Sequence, residues 1–540
     1  MSGGPGGPAL LWEITLRLCL LSDTHVGAAR PTPRHAAESD VDLHVDRDPS
    51  TGVPRLRATT LAGLLRHELA ARTGDPASVR ALMGSGRERA LPGGAPATSA
   101  LEADDAPAEL PEGATVTVRT GTRVDPAAGT AQPGRLWRWE VLPAGTVFTA
   151  HLRLSVPAPA DEARLLTLLL LASGGLEGVG PGVRVGGRTG RGYGAVRATH
   201  WAVRRHDLTD ERDWFAYHGR TWAERWADGA AAVADAPGDL ATALTERLRR
   251  CGRTATAAHL AARARQPDRR HRAELHLTLA VAEPRDPLAP PPRRTRPGAL
   301  LIADDPAPER LGTADRAHRH RPVVSDPDKP VVHAGPVLGE TALFALLKRI
   351  SGRLVRDAAE HLGAPADRWR GWHDRWWGAD TDRSGRPRPS RVRLRAAPAL
   401  TGGAPLTITR LTVDALFGDA VDGHLFTTDL HCGGAAEAVV DVSEPDDAVR
   451  GLLALLVREL ATVAFDTVGA GAGSGQGRLT ATRALLVTHP GGGEPPHTVD
   501  LLTAVFEEES PEAATARDWL DALRAVLAPA TADGAKEAPR

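Results

Sequence analysis

Residues 122–145 read TRVDPAAGTAQPGRLWRWEVLPAG, and residues 411–433 read LTVDALFGDAVDGHLFTTDLHCG. Each begins with a Val-Asp pair, turns over small residues, continues into a GxLΦxx(E/D) strand and closes on glycine. Apolar runs flanking a small-residue turn predict β-hairpins. The surroundings recur in the same order. Trp12, Ile14, Leu16, Leu18 and Leu20 alternate with Glu13, Thr15, Arg17 and Cys19, and Leu275, Leu277, Leu279 and Val281 alternate likewise, so each half opens on a predicted half-buried strand. Leu61, Leu64, Leu65 and Leu69 fit one helical face, as do Leu343, Leu346, Leu347 and Ile350. Before or across these helices, PRLRATTLAG (54–63) and PVVHAGPVLG (330–339) share a Pro, apolar, Ala, apolar, Gly frame. Beyond each hairpin come an acid-started leucine helix, DEARLLTLLLLAS or DDAVRGLLALLVREL, and a glycine loop, GGRTGRGYGAV (186–196) or GAGAGSGQGRL (469–479), leading into a final strand. The whole order is a predicted internal duplication with a period of roughly 275 residues.

These matches divide the chain into a module over 1–205, a helical connector over 206–272, a second module over 273–490 and a tail over 491–540 with one short amphipathic helix. Segments 84–113 and 289–298, rich in Gly, Pro and Ala, are expected to be loops.

A net charge of -1 gives no whole-chain attraction for polyanions, so any anion site must be local. Lys329, Lys348 and Lys536 are the only lysines; the remaining basic residues are arginines, suited to bidentate phosphate contacts. Cys19, Cys251 and Cys432 are isolated thiols, which excludes a disulfide framework and a cysteine zinc site. The N-terminal MSGGPGGPALLWEITL lacks a basic leader region, and LLTLLLLA (165–172) falls far short of the ~20 residues of a membrane span. A cytoplasmic protein with no membrane partner is expected.

Chemistry concentrates first in DVDLHVDRDPSTGVPRLRATTLAGLLR (40–66), an acidic loop and a DPSTG turn anchored by a helix. Asp42, Asp46 and Asp48 are either solvated turn acids, with Asp48 capping the Pro49 turn, or a catalytic set. The glycine loop 186–196 is the second candidate. Gly187, Gly190, Gly192 and Gly194 permit close backbone approach with amides turned outward, and Arg184, Arg188 and Arg191 suit phosphate; a tight helix-to-strand turn explains the same glycines. Generic enzyme motifs fail: there is no Walker A lysine, no GxGxxG, no HExxH and no GxSxG. HRHR (318–321) is as compatible with a solvated basic turn as with a metal site. LLSDTHVG (20–27) imitates the Asp-x-His metal motif of calcineurin-like metallophosphoesterases and GDAVD (418–422) their next motif, but that family needs a GNH motif and this chain has no asparagine.

Four motifs in order resemble the RAMP superfamily, the backbone subunits of type III CRISPR effector complexes. THVGA (24–28) is similar to its LHIG start, VDLHVDRDPSTGVPRLRATTLAGLLR to its acid, DP-turn and IPGSSLKGxxR signature, TRVDPAAGTAQPGRLWRWEVLPAG to its hairpin, and GGRTGRGYGAV to its closing glycine motif. The second half matches chiefly in its hairpin. The resemblance implies an α+β chain of two tandem ferredoxin-like (RRM-type) RAMP modules with thumb hairpins and helical insertions. It implies guide (CRISPR) RNA, target RNA, neighbouring RAMP proteins and the large subunit as partners, in antiviral defence. In catalytic members, target RNA is cut by its own 2′-hydroxyl, with Mg²⁺ or another divalent cation as cofactor. By alignment Asp42 takes the catalytic position and His25 an RNA-binding one; Arg47, Gly187, Arg188, Gly190, Arg191, Gly192, Gly194 and Arg478 are the further expected RNA contacts. Asp315 is the second-half catalytic candidate, although His320 aligns there and Asp315 lies five residues earlier. Ala58 replaces the signature glycine. The alternative within the family is a non-catalytic RNA-binding scaffold.

Overall fold

The computed structural model describes residues 7–27, 41–85, 97–124, 131–266, 268–283, 296–304, 310–324, 326, 332–379, 388–395, 398–463 and 465–529. Asp40, the first hairpin's tip (125–130), most of 84–96 and 289–298, and Pro330 of the second PxΦxA frame lie outside them. The chain divides into two compact units, Met1–Thr189 with Tyr193–Asp268 and Pro322–His333, and Gly190–Gly192 with Arg269–Arg321 and Ala334–Arg540.

In the first unit, β1 (Leu10–Leu20) lies between β7 (Val147–Val156) and β8 (Val196–Asp207), antiparallel to both. β4 (Ala106–Glu109) and β3 (Leu101–Ala103) pair with β7, and β2 (Arg55–Leu56) pairs with β4, so the sheet runs β2-β4-β7-β1-β8. Helices α1 (Ala58–Thr73) and α3 (Glu162–Ser173) place Leu61, Leu65, Leu69, Leu165, Leu166 and Leu169 in one core with Trp12, Ile14, Leu16 and Leu18. A short α2 (Pro76–Met83) separates α1 from β3. This is the antiparallel β-α-β-β-α-β arrangement of a ferredoxin-like sheet. The hairpin of β5 (Thr117–Val124) and β6 (Ala131–Val141) is a separate two-stranded sheet.

Three expectations change here. The predicted loop 84–113 contains β3 and β4; such short, Ala-rich strands carry too few apolar residues to register as a pattern. β1 is not half-buried: Leu11, Thr15 and Cys19 on its second face are buried as well. The cover comes from the stretch predicted to be a connector. Its helices α4 (Glu211–His218), α5 (Trp222–Ala232), α6 (Leu240–Arg250) and α7 (Thr254–Ala264) belong to the first unit. Gly229 of α5 packs so closely on β1 that a Cβ would stand 2.3 Å from Thr15 Oγ1. Leu240, Leu244, Leu248 and Leu260 join the core.

In the second unit, β9 (Arg272–Val281) lies between β19 (Ala435–Ser443) and β20 (Leu479–His489), in a sheet ordered β15-β19-β9-β20-β21. β15 is Val392–Leu394, β16 (Leu400–Thr401) also pairs with β19, and β21 is His497–Asp500. Helices α8 (Glu340–His361) and α10 (Asp447–Thr462) supply Leu343, Leu347, Ile350, Leu453 and Leu460 to its core. Between them lies α9 (Ala366–Trp377). The hairpin of β17 (Ala404–Val413) and β18 (Ala420–Cys432) carries β10 (Ala299–Leu300), β12 (Arg316–His318) and, through β12, β11 (Ala303–Asp304). β13 (His320–Val324) and β14 (Val332–Pro336) form a further two-stranded pair, of which 322–324 and 332–333 count with the first unit. The tail is structural: after α11 (Leu501–Phe506), α12 (Pro511–Leu527) packs on α10 where Gly451 leaves no room for a Cβ, 2.4 Å from Trp519 O.

The Pro-to-Gly frame shared by 54–63 and 330–339 does not mark equivalent positions. Gly63 lies inside α1, whereas Gly339 precedes α8 at φ 63°. The glycine loops, by contrast, repeat bond for bond. Val185 N–H donates to Gly194 O (2.8 Å), Gly187 N–H to His25 O (2.9 Å) and Gly194 N–H to Asp23 O (3.1 Å). In the second unit Val468 N–H donates to Gly477 O, Ala470 N–H to Leu301 O and Gly477 N–H to Ala299 O, each at 2.8 Å. Two glycines in each loop are obligatory on steric grounds. A Cβ would lie 2.1 Å from His25 O at Gly186 and 2.0 Å from Val185 O at Gly194; at Gly469 and Gly477 the separations are 2.2 and 2.1 Å.

Candidate functional site

The acidic loop lies along hairpin strand β6. Asp42 N–H donates to Arg138 O (2.9 Å), and Arg138 N–H donates back to Asp42 Oδ2 (2.7 Å). Glu140 N–H continues the pairing to Leu43 O (2.9 Å), and Leu43 faces Trp139 in parallel register. The Glu140 carboxylate accepts Val45 N–H (2.9 Å) and Arg47 Nη2 (2.9 Å). Asp42 is exposed within this frame.

The neighbouring acids have other tasks. Asp46 is buried and accepts Nε of Arg55 (2.9 Å) and of Arg57 (2.7 Å). Burial pushes its pKa up, but the two guanidiniums outweigh that and hold it below the ordinary value. Asp48 caps the Pro49 turn, its Oδ1 accepting Ser50 N–H (2.8 Å) and Thr51 N–H (3.0 Å); the Ser50 hydroxyl and these amides hold it at about 2.

His25 joins the loop to the hairpin, its Nδ1 2.7 Å from Glu140 O. A carbonyl can only accept, so Nδ1 carries the proton and Nε2 the lone pair. Burial lowers the imidazole's pKa, against the raising effect of the Glu140 carbonyl, and the Arg188 charge adds to the lowering. Arg188 itself sits at φ 60° and stacks its guanidinium 3.9 Å from the Trp139 ring centroid and 5.4 Å from that of Trp137. Tyr193 meets Trp139 edge-on at 6.4 Å. A stacked guanidinium keeps its donors in plane, which matches a phosphate approaching from the side.

The second unit reproduces the acid. Asp315 N–H donates to Thr427 O (2.8 Å) and Thr427 N–H to Asp315 Oδ2 (2.7 Å), while Arg316 pairs in parallel with Thr428. Asp429, in the place of Glu140, accepts a fork from Arg310 at 3.0 and 2.9 Å. The aromatic stack is not reproduced: Phe426 and Thr428 stand where Trp137 and Trp139 do, and Gly471 (φ 81°) where Arg188 does.

The structure thus brings Asp42, Arg47, His25, Gly187, Arg188 and Gly194 together around β6. Gly187 and Gly194 do not direct their amides outward; both N–H groups bind this chain. Gly190, Arg191 and Gly192 group with the second unit, where Leu394 N–H donates to Gly190 O (3.1 Å). Arg478 is exposed beside the second glycine loop, and His320 donates through Nδ1 to His318 O (2.9 Å) rather than occupying the acid's place. HRHR is no solvated turn: His318 is buried, and burial with the nearby His431 pushes its pKa down to about 3. Asp23 of the phosphoesterase-like motif is clasped by Arg119 (2.6 Å), and among the described residues no group of three or more His, Cys, Asp or Glu is arranged to hold a metal. Trp137, Trp139 and Glu140 went unpredicted; the WRWE alternation, which puts both indoles on one strand face, was the available signal.

The first unit thus joins an antiparallel α+β sheet and its hairpin to an exposed loop acid and a stacked arginine. Residues 17–197, about a third of the chain, match the family model of the RAMP superfamily. No curated protein matches the chain. No helix among the described residues is long and apolar enough to cross a membrane.

Proposed function

We propose that the chain is a tandem fusion of two RAMP modules that grips guide RNA in a type III CRISPR effector complex and cuts the paired target RNA at Asp42 and at Asp315. The observation that carries this reading is the repeated clasp, Asp42 with Arg138 and Asp315 with Thr427. It supports treating the two acids as equivalents, and the matching glycine-loop bonds support two copies of one fold. The second-half alignment that favoured His320 is set aside on that ground.

RNA carries its own nucleophile, so the protein's task is positioning. In each clasp Oδ2 accepts a backbone N–H, which fixes the carboxylate against the hairpin. Its position on an exposed loop suits it to take the 2′-hydroxyl proton. His25, neutral with an Nε2 lone pair, can accept a ribose hydroxyl, while Arg188 and Arg47 suit phosphate. A single exposed carboxylate is too few ligands for a protein-only metal cage but fits hydrated Mg²⁺, which is commonly shared between one or two carboxylates and substrate phosphates. That cation would neutralise charge developing at the scissile phosphate. The products would be a 2′,3′-cyclic phosphate and a 5′-hydroxyl. The scaffold-only alternative is favoured by one fact, that an oxygen of each carboxylate is already engaged.

Sequencing the RNA that copurifies with the protein tests the binding half of the proposal. Repeat-derived guide RNA is expected; random cellular RNA, or none, contradicts it.

A further inference from the structure

Residues 388–393 of the second unit run against the C-terminal end of α9. Arg391 N–H donates to Trp376 O at 2.9 Å, the Ser390 hydroxyl is within reach of both Trp376 O (2.9 Å) and Val392 O, and Ser443 N–H donates to Arg391 O (3.1 Å). These residues line an open cleft of about 560 Å³, to which Arg375, Arg388, Arg391 and Arg393 contribute and, among the described residues, no acidic residue does. Arg391 pairs with the exposed Glu444 (3.1 Å). Among the described residues, Arg375, Arg388 and Arg393 have no carboxylate partner.

A helix C-terminus ordinarily repels anions, because its last carbonyls point outward. Here that repulsion is quenched. Trp376 O is taken by Arg391 N–H, and Lys348 Nζ reaches Trp377 O (3.4 Å) and Gly378 O (2.5 Å), adding a further positive charge. The guanidiniums of Arg375 and Arg391 stand 5.4 and 5.7 Å from the Trp376 ring centroid, which limits their freedom. Like charges gathered on a rigid frame repel one another unless an anion joins them, and arginine forks match phosphate oxygens in pairs.

We propose that this cleft, which adjoins Gly190 of the first glycine loop, binds the phosphodiester backbone of single-stranded RNA through arginines other than those of the hairpin and glycine loops. The proposal rests on the reading that the chain grips RNA. Its test is salt-dependent binding of a fluorescein-labelled single-stranded RNA of mixed sequence to nucleic-acid-free protein. The parent is compared with the triple variant Arg375→Ala, Arg388→Ala, Arg393→Ala and with the triple lysine variant. Each phosphate contact to a single strand contributes about 0.7 to the slope of log affinity against log salt. The alanine variant should therefore lose about 2 from that slope, and the lysine variant should keep most of it. An alanine variant with the parent's slope overturns the cleft while leaving the chain an RNA binder. So does an alanine variant that keeps the slope yet loses a copurifying acidic protein, which would give the cleft to that protein. A parent with no measurable RNA affinity overturns this proposal together with the functional reading beneath it.

Discussion

Arg188 and Gly471 occupy the same place in the two glycine loops, one residue after the amide that donates to His25 O or to Leu301 O, at φ 60° and 81°. The position demands a left-handed residue. Glycine meets that demand without strain, whereas an L side chain there costs roughly 1–2 kcal/mol. A strained arginine where its counterpart is glycine points to a task for the guanidinium, stacked on Trp139. Arg188→Gly should leave the first unit's thermal midpoint within a few degrees of the parent, strain relief offsetting lost stacking of about 1 kcal/mol. RNA affinity should fall several-fold, measured by fluorescence anisotropy at low salt. Unchanged affinity would make Arg188 a packing residue.

Gly186 and Gly469 predict a different outcome. A Cβ at either would collide with a backbone carbonyl oxygen, that of His25 at 2.1 Å and that of Leu301 at 2.2 Å, at φ of 84° and 80°. Gly186→Ala should destabilise the first unit by about 3 kcal/mol or more, and Gly469→Ala the second by a similar amount. Gly190, with nothing nearer than 3.9 Å and no positive φ, should tolerate alanine. Chemical denaturation of the three variants checks this. Equal tolerance at all three would show that the loops do not pack as described.

How much of this was legible follows from where the information sits. Hairpins, leucine helices and glycine loops announce themselves through local periodicity and composition, and all appear near their predicted places. The PxΦxAxxΦxG frame was equally visible and structurally empty, since Gly63 is helical and Gly339 is a cap. Thr15 looked solvent-facing because the helix that covers it, through Gly229, lies more than 200 residues along the chain. The clasp of Asp42 on Arg138 depends on register between a loop and a strand some 96 residues apart, which single-sequence patterns do not encode. Asp48's turn-capping task, by contrast, is a contact over two residues and could be stated from sequence.

Buried histidines set an acid limit on stability. Burial pushes His151 and His373 down to about 4 and His318 to about 3. Each is therefore neutral when folded, yet takes a proton near its ordinary 6.5 when unfolded. Above pH 6.5 neither state binds it and it contributes nothing to pH dependence. Between 6.5 and about 4 the unfolded chain binds more protons, so stability falls as pH falls, by about 1.4 kcal/mol for each unit of depression. Urea midpoints should decline steadily from pH 7 to pH 4, and His373→Gln should flatten the decline of the second unit. Midpoints independent of pH over that range would contradict the burial of these rings.

The central claim is that Asp42 and Asp315 are equivalent acids in two copies of one site. Its most direct measurement is the cleavage pattern of a guide-paired target RNA, mapped at nucleotide resolution with Mg²⁺, for the assembled complex carrying Asp42→Ala, Asp315→Ala or both. Each single variant should lose one cut and keep the other, the double variant should lose both, and all three should assemble and bind RNA as the parent does, since an exposed loop acid adds little to a core. If the double variant cuts at every position as fast as the parent, the two carboxylates are turn acids pinned to a hairpin and the chain is a scaffold.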